Sequence, residues 1–175
     1  MSFNGTQLTT LYAQQTMISA ALGDGPRIEI THVALGDGLG AGYEPYENQT
    51  ALRNELVRKA ITRQHFVNEN TLRVVVEFGL DIPAFWLREI GFFDATGNLI
   101  FVTAGADITP GYTSAFELIF DGYLNLSGVK DGLVVVTAPN DEVFDLALHT
   151  AHGMALLQLE QLRQGKAIRK AHGAY

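Results

Sequence analysis

The sequence predicts an α+β fold: an N-terminal helix, a mostly antiparallel β-sheet domain of about six strands, and a C-terminal helix. Three observations predict it. Leu8, Leu11, Tyr12, Ile18, Ala21 and Leu22 recur at helical spacing near the N-terminus. The middle of the chain holds a series of β-prone stretches divided by glycine, proline and aspartate turns. The run from Asp141 to Gln164 contains no proline and only Gly153. With 175 residues, 47% of them hydrophobic and 18% charged, the chain suits one packed domain, or one domain plus an extension. We place the division after residue 140, leaving 141–175 as a helix and basic tail.

The first helix has a stop signal in Gly23, and Pro26 prevents its resumption. The pentapeptide ALGDG at 21–25 therefore reads as a helix cap and turn, with Asp24 bonding the local backbone. RIEITHVAL follows as a strand, and a second ALGDG, at 34–38, ends it. ALRNELVRKAI reads as a short helix running into a strand. In LRVVVEFGL, Val74, Val76, Phe78 and Leu80 share one face. AFWLREIGFF and LIFVTA form a hairpin through DATGN, where Gly97 supplies the left-handed position. AFELIFDGYLNL alternates cleanly, placing Phe116, Leu118, Phe120, Leu124 and Leu126 opposite Glu117, Asp121, Tyr123 and Asn125. LVVVTA is the last strand. Asn140 then caps a helix whose circumference is apolar enough to demand packing on its own domain or on copies of itself. Arg163, Lys166, Arg169 and Lys170 follow as a solvated helix end or a dock for an acidic partner.

Several function classes fall away. The chain has no cysteine, so disulfides and thiolate chemistry are excluded. A net charge of −7 argues against a broad nucleic-acid surface. No apolar run approaches the ~20 residues of a membrane helix. The start, MSFNGTQLTT, lacks the features of a secretory signal. No serine sits in a G-x-S-x-G turn. His149 and His152, with Asp145, share a helix face, but one chain leaves such a metal site short of ligands. Gly36, Gly38 and Ala41 fit a dinucleotide fingerprint, yet Gly42 and Pro45 oppose the helix that a pyrophosphate needs. The expectation is no enzyme, no catalytic residue, no cofactor and no metal.

The most informative stretch is FWLREIGFFD. Alternation puts Phe85, Leu87, Glu89, Gly91 and Phe93 on one face and Trp86, Arg88, Ile90, Phe92 and Asp94 on the other. A strand apolar on both faces must pair the charge in its middle. Arg53 and Glu55 carry the opposite signs, which predicts structural ion pairs Arg53–Glu89 or Glu55–Arg88.

The ordered set ITHVALGDGLGAGYEP, QTALRNELVRKAI and FWLREIGFFDATGNLIFV resembles the N-terminal attachment domain of the phage tail fibre, or tail-collar fibre, family. The resemblance runs from about Thr6 to Val136. It implies a virion structural protein that attaches a fibre to the baseplate or tail by protein–protein contacts, as a homotrimer and without catalysis. It carries over Gly36, Asp37, Gly38, Leu52, Arg53, Asn54, Glu55, Arg88, Glu89, Gly91 and Asp94 as structural or interface residues. The expected location is the virion tail, after assembly in the bacterial cytoplasm. The expected partners are copies of the chain, baseplate or tail proteins, and a separate distal fibre chain, with no nucleic acid or membrane. The sequence has no Gly-X-Y stretch or fibre repeats, so an adaptor is expected rather than a receptor-binding fibre. Exposed Tyr43, Tyr46, Trp86 and Tyr112 are candidate contacts. The alternative is a carbohydrate-binding module for host glycan, with Trp86, Tyr43 and Tyr112 as its platform.

Overall fold

The computed structural model describes residues 4–68, 70–79, 82–113, 118–126 and 132–140, with scattered positions between 146 and 166. The chain divides into two compact units, Met1–Asn140 and Asp141–Tyr175.

In the first unit, the elements are β1 (Thr6–Thr9), α1 (Leu11–Leu22), β2 (Ile28–Gly36), β3 (Glu55–Ala60), β4 (Arg63–Asn68), β5 (Thr71–Phe78), β6 (Trp86–Leu87), β7 (Glu89–Asp94), β8 (Leu99–Ala104), β9 (Gly111–Tyr112), β10 (Leu118–Asn125) and β11 (Val134–Val136). The predicted α+β class is therefore corrected: the described fold is mostly β, and α1 is the α-helix of the first unit. The predicted C-terminal helix is described only in part: helical backbone is seen at Leu146 and Ala147, at Thr150, Met154 and Gln158, and over the short run 160–164, while the other positions of 141–159, His149 and His152 included, lie outside the described residues.

The physical reason for the miss is strand length. β1, β6 and β9 are two to four residues long, too short to display a period of two. They are strands because a neighbour offers an open edge. β1 pairs antiparallel with β8, and Trp86 and Leu87 pair with Tyr112 and Gly111. ALRNELVRKAI likewise contains no helix; β3 pairs with β2 from Glu55 onward.

The main sheet runs β1-β8-β7-β2-β11, with β3 also on β2. Only β11 joins in parallel, Val134–Val136 lying beside Ile28–Ile30. A second sheet runs β10-β5-β4. Ile28, Ile30, Val33 and Leu35 from β2 share the larger core with Leu72, Val74, Val76 and Phe78 from β5. The switch from even to odd numbers along β2 follows a bulge between Ile30 and His32 against β7, which adds one residue and restores the inward face. A smaller core joins Ala34, Leu52, Phe93, Leu99 and Val102. β10 shows the predicted alternation where it is described: Leu124 and Leu126 are buried, and Asp121, Tyr123 and Asn125 are exposed. Phe116 and Glu117 lie outside the described residues, as does Leu80 of the β5 stretch.

Helix α1 is capped as expected at its C-terminus. Gly23 has φ +85°, and its N–H reaches the Ala20 carbonyl. At the N-terminus the Thr10 hydroxyl accepts from the Ala13 N–H and donates to the Leu99 carbonyl, which ties the helix to β8. The apolar residues that recur at helical spacing do not form its packing face. Leu8 belongs to β1, and Leu11, Tyr12, Ile18 and Leu22 are exposed. Ala13 is buried instead, with Met17 beside it, because the short anchor through Thr10 brings the small side chain against the sheet.

Candidate functional site

Three segments of the resemblance converge on one buried carboxylate. The main-sheet strand β2 ends at Gly36, where it pairs with Glu89 at the start of β7. The Arg88 N–H donates to the Gly36 carbonyl at 3.0 Å and holds that junction. The chain then turns through Asp37 and a 3₁₀ turn, Gly38–Gly40, before Ala41 becomes extended. The loop from Tyr43 to Asn54 folds back over Glu89, which is fully buried.

Glu89 receives four donors. Its Oε1 accepts the N–H groups of Gly38 at 3.2 Å and Asn54 at 2.8 Å. Its Oε2 accepts the Arg53 N–H at 2.8 Å and the Tyr43 hydroxyl at 2.7 Å. A carboxylate has about four lone-pair sites, so its accepting capacity is filled. The charge is dispersed over hydrogen-bond donors, which is how a buried anion is tolerated without a cation. Gln49 Nε2 steadies the Tyr43 hydroxyl at 2.8 Å and also reaches the Ala51 carbonyl. Burial first, and then the bond to Glu89, pushes the Tyr43 phenol above the ordinary tyrosine range.

The predicted ion pairs are corrected by this geometry. Glu89 is bound to the Arg53 backbone, while the Arg53 guanidinium stacks over the Tyr43 ring at 4.1 Å. Glu55 pairs with Arg58 at 2.6 Å. Arg88 reaches the Trp86 carbonyl at 3.4 Å. Turn amides can approach a buried carboxylate without carrying a second ion out of water, whereas a guanidinium pays that desolvation cost.

The remaining motif residues serve the same framework. A Cβ on Gly36 would overlap the Asn54 carbonyl oxygen and Glu89 Oε1. Asp37 Oδ1 accepts the Leu39 N–H at 3.0 Å and Asn54 Nδ2 at 2.8 Å. Gly91 lies where a side chain would meet Phe93, Leu52 and Leu99. Asp94 caps the β7–β8 hairpin, its Oδ1 accepting from the Thr96 and Asn98 N–H groups. Partial burial works to raise its pKa, but the Asn98 and Thr96 bonds outweigh that and hold the carboxyl below its ordinary range.

Sequence reasoning missed Tyr43 as an internal residue. It was expected at the surface, yet it is buried. A hydroxyl that requires a partner when buried was the available signal, and the partner is far away in sequence. Tyr46, Trp86 and Tyr112 are exposed as expected. The Trp86 and Tyr112 rings lie 4.9 Å apart but tilted by 54°, so they form no flat sugar platform, and Tyr43 is not beside them at the surface. A separate cavity of about 540 Å³ is lined by Leu87, Ile90, Phe92, Ile119 and Tyr123 among others. Among the described residues, no cluster of three metal-ligating side chains occurs.

A loop whose amides already hold the protein's own carboxylate is a structural lock, and the class that these features define is a β-rich structural module. The chain belongs to the phage tail-collar fibre protein family, whose N-terminal model matches residues 1–109. It is 33% identical over 105 residues to a "Probable tail fiber protein" of Escherichia phage P2. That match covers 58% of this chain and 15% of the relative's length. No solved structure matches the chain. The family is one of structural proteins of the phage tail.

Proposed function

We propose that the chain attaches a tail fibre to the baseplate or tail, or forms part of that fibre, through protein–protein contacts. Residues 1–140 act as the attachment unit. Residues 141–175 contact other copies or a separate distal fibre chain, and the assembly is a homotrimer. It works in the virion tail after assembly in the host bacterial cytoplasm.

The observation that carries this reading is the family match over 1–109, which encloses every residue of the Glu89 lock. The Glu89 carboxylate is satisfied internally, which leaves the outer surface to carry the function. That surface is rich in apolar groups suited to contacts: Leu11, Tyr12, Ile18 and Leu22 on α1, and Trp86 with Tyr112. In the second unit, Leu146, Met154 and Leu162 are exposed.

Tails purified from the source phage should carry the chain, and the isolated protein should show three times the chain mass in sedimentation. A chain absent from purified tails would remove the reading. A stable monomer at micromolar concentration would remove the trimer alone.

A further inference from the structure

We propose that the turn after β2 presents Leu39 as an apolar plug, collared by Arg53 and Arg88, to an apolar socket rimmed with carboxylates on another tail protein. The inference rests on the tail-attachment reading and names the partner chemistry of its surface.

Leu39 is the one non-glycine residue with positive φ, +59°, among the described residues. Left-handed backbone is unfavourable for leucine and routine for glycine or asparagine. The strain has no return inside the molecule: the Leu39 side chain is 71% exposed and belongs to neither core. It persists because the turn is held from several sides. Asp37 accepts the Leu39 N–H, Asn54 fixes Asp37, and Glu89 holds the Gly38 N–H. A strained residue kept rigid and bare at a surface points to use by a partner.

The surroundings give the partner's sign. A Cβ placed on Gly38 would sit 3.6 Å from Arg88 Cβ and 3.6 Å from the Tyr43 ring, and Arg53 lies on that same ring. The stem of Arg88 thus borders the turn at Gly38, and the Arg53 guanidinium lies on the Tyr43 ring that borders it too. Neither guanidinium has a carboxylate partner among the described residues. This holds in a chain with 19 acidic and 12 basic side chains, where acidic partners are in excess. Charge complementarity thus assigns carboxylates to the rim of the socket.

The test uses the full chain and tails of the source phage assembled without it. Leu39→Asn introduces a polar side chain that tolerates the left-handed backbone, and Leu39→Gly removes the strain outright. Both should melt at or above the wild-type temperature, while occupancy on purified tails falls at least tenfold. Leu39→Met should retain occupancy. Arg88→Gln should lose several-fold and flatten the salt dependence of binding. Wild-type occupancy in the Leu39→Asn and Leu39→Gly chains overturns the plug and leaves the tail-attachment reading standing. A wild-type chain that does not bind tails overturns both. Lower melting temperatures in those two variants would make Leu39 a structural residue and overturn the plug. A change in native mass without loss from tails would seat it in a second copy, and so overturn the socket on another tail protein.

Discussion

The pentapeptide ALGDG occurs at 21–25 and again at 34–38, and the two copies have little structure in common. In the first, Ala21 and Leu22 end α1, Gly23 turns left-handed, and Leu22 is 74% exposed. In the second, Ala34 and Leu35 lie in the central strand β2, and Leu35 is fully buried. Gly23 is demanded by its φ and faces open space, whereas Gly36 is demanded by the closeness of Glu89 and Asn54. Asp24 makes no described side-chain hydrogen bond, contrary to expectation, while Asp37 organises its turn through Leu39 and Asn54. Identical local chemistry yields a cap in one place and half of a buried lock in the other. The difference lies in what arrives from elsewhere in the chain.

The largest effect should follow from removing the group that makes the second copy special. Glu89→Ala leaves several buried donors without an acceptor and should cost about 3–5 kcal/mol. Denaturant melts would show it, and an unchanged midpoint would mean that the lock does not hold the second turn. Next comes the leucine that the copies share. Leu35→Ala should cost about 3 kcal/mol, while Leu22→Ala should stay within about 0.5 kcal/mol. Equal costs at the two positions would break the comparison.

The smallest effect is one of pH. The Tyr43 phenol has a folded-state pKa raised above its unfolded value, so the neutral form is favoured by folding. Its contribution is complete below the unfolded value of about 10 and is lost as pH rises toward the folded value. Stability should fall by about 1 kcal/mol between pH 10 and 11 from this group. Tyr43→Phe should remove that part of the slope, as measured by urea melts at each pH. A slope unchanged in the variant would place the alkaline sensitivity outside the second copy.

Much of the sheet was visible from residues alone. The alternation in β5 and β10, the Gly97 hairpin and the double-sided burial of β7 are one-dimensional patterns, and the structure repeats them. The short strands β1, β6 and β9 were invisible because two to four residues carry no period. The apolar spacing of α1 predicts a helix, and the residues that carry it lie at the surface. Periodicity states which residues share a side and says nothing about which side meets the sheet.

The lock shows the same division. That Glu89 lies in an apolar strand, and so requires satisfaction, follows from the order of residues 85–94. That the satisfaction comes from the amides of Gly38, Arg53 and Asn54 and from Tyr43, rather than from a guanidinium, was decided by the fold. The sequence by itself determined which groups would be costly to bury and where turns must fall, because those are properties of single residues and near neighbours. Only the tertiary structure decided which donors meet Glu89 and which leucine stays bare. Those outcomes depend on segments 35–51 residues apart arriving at one point, and no local spacing encodes that arrival.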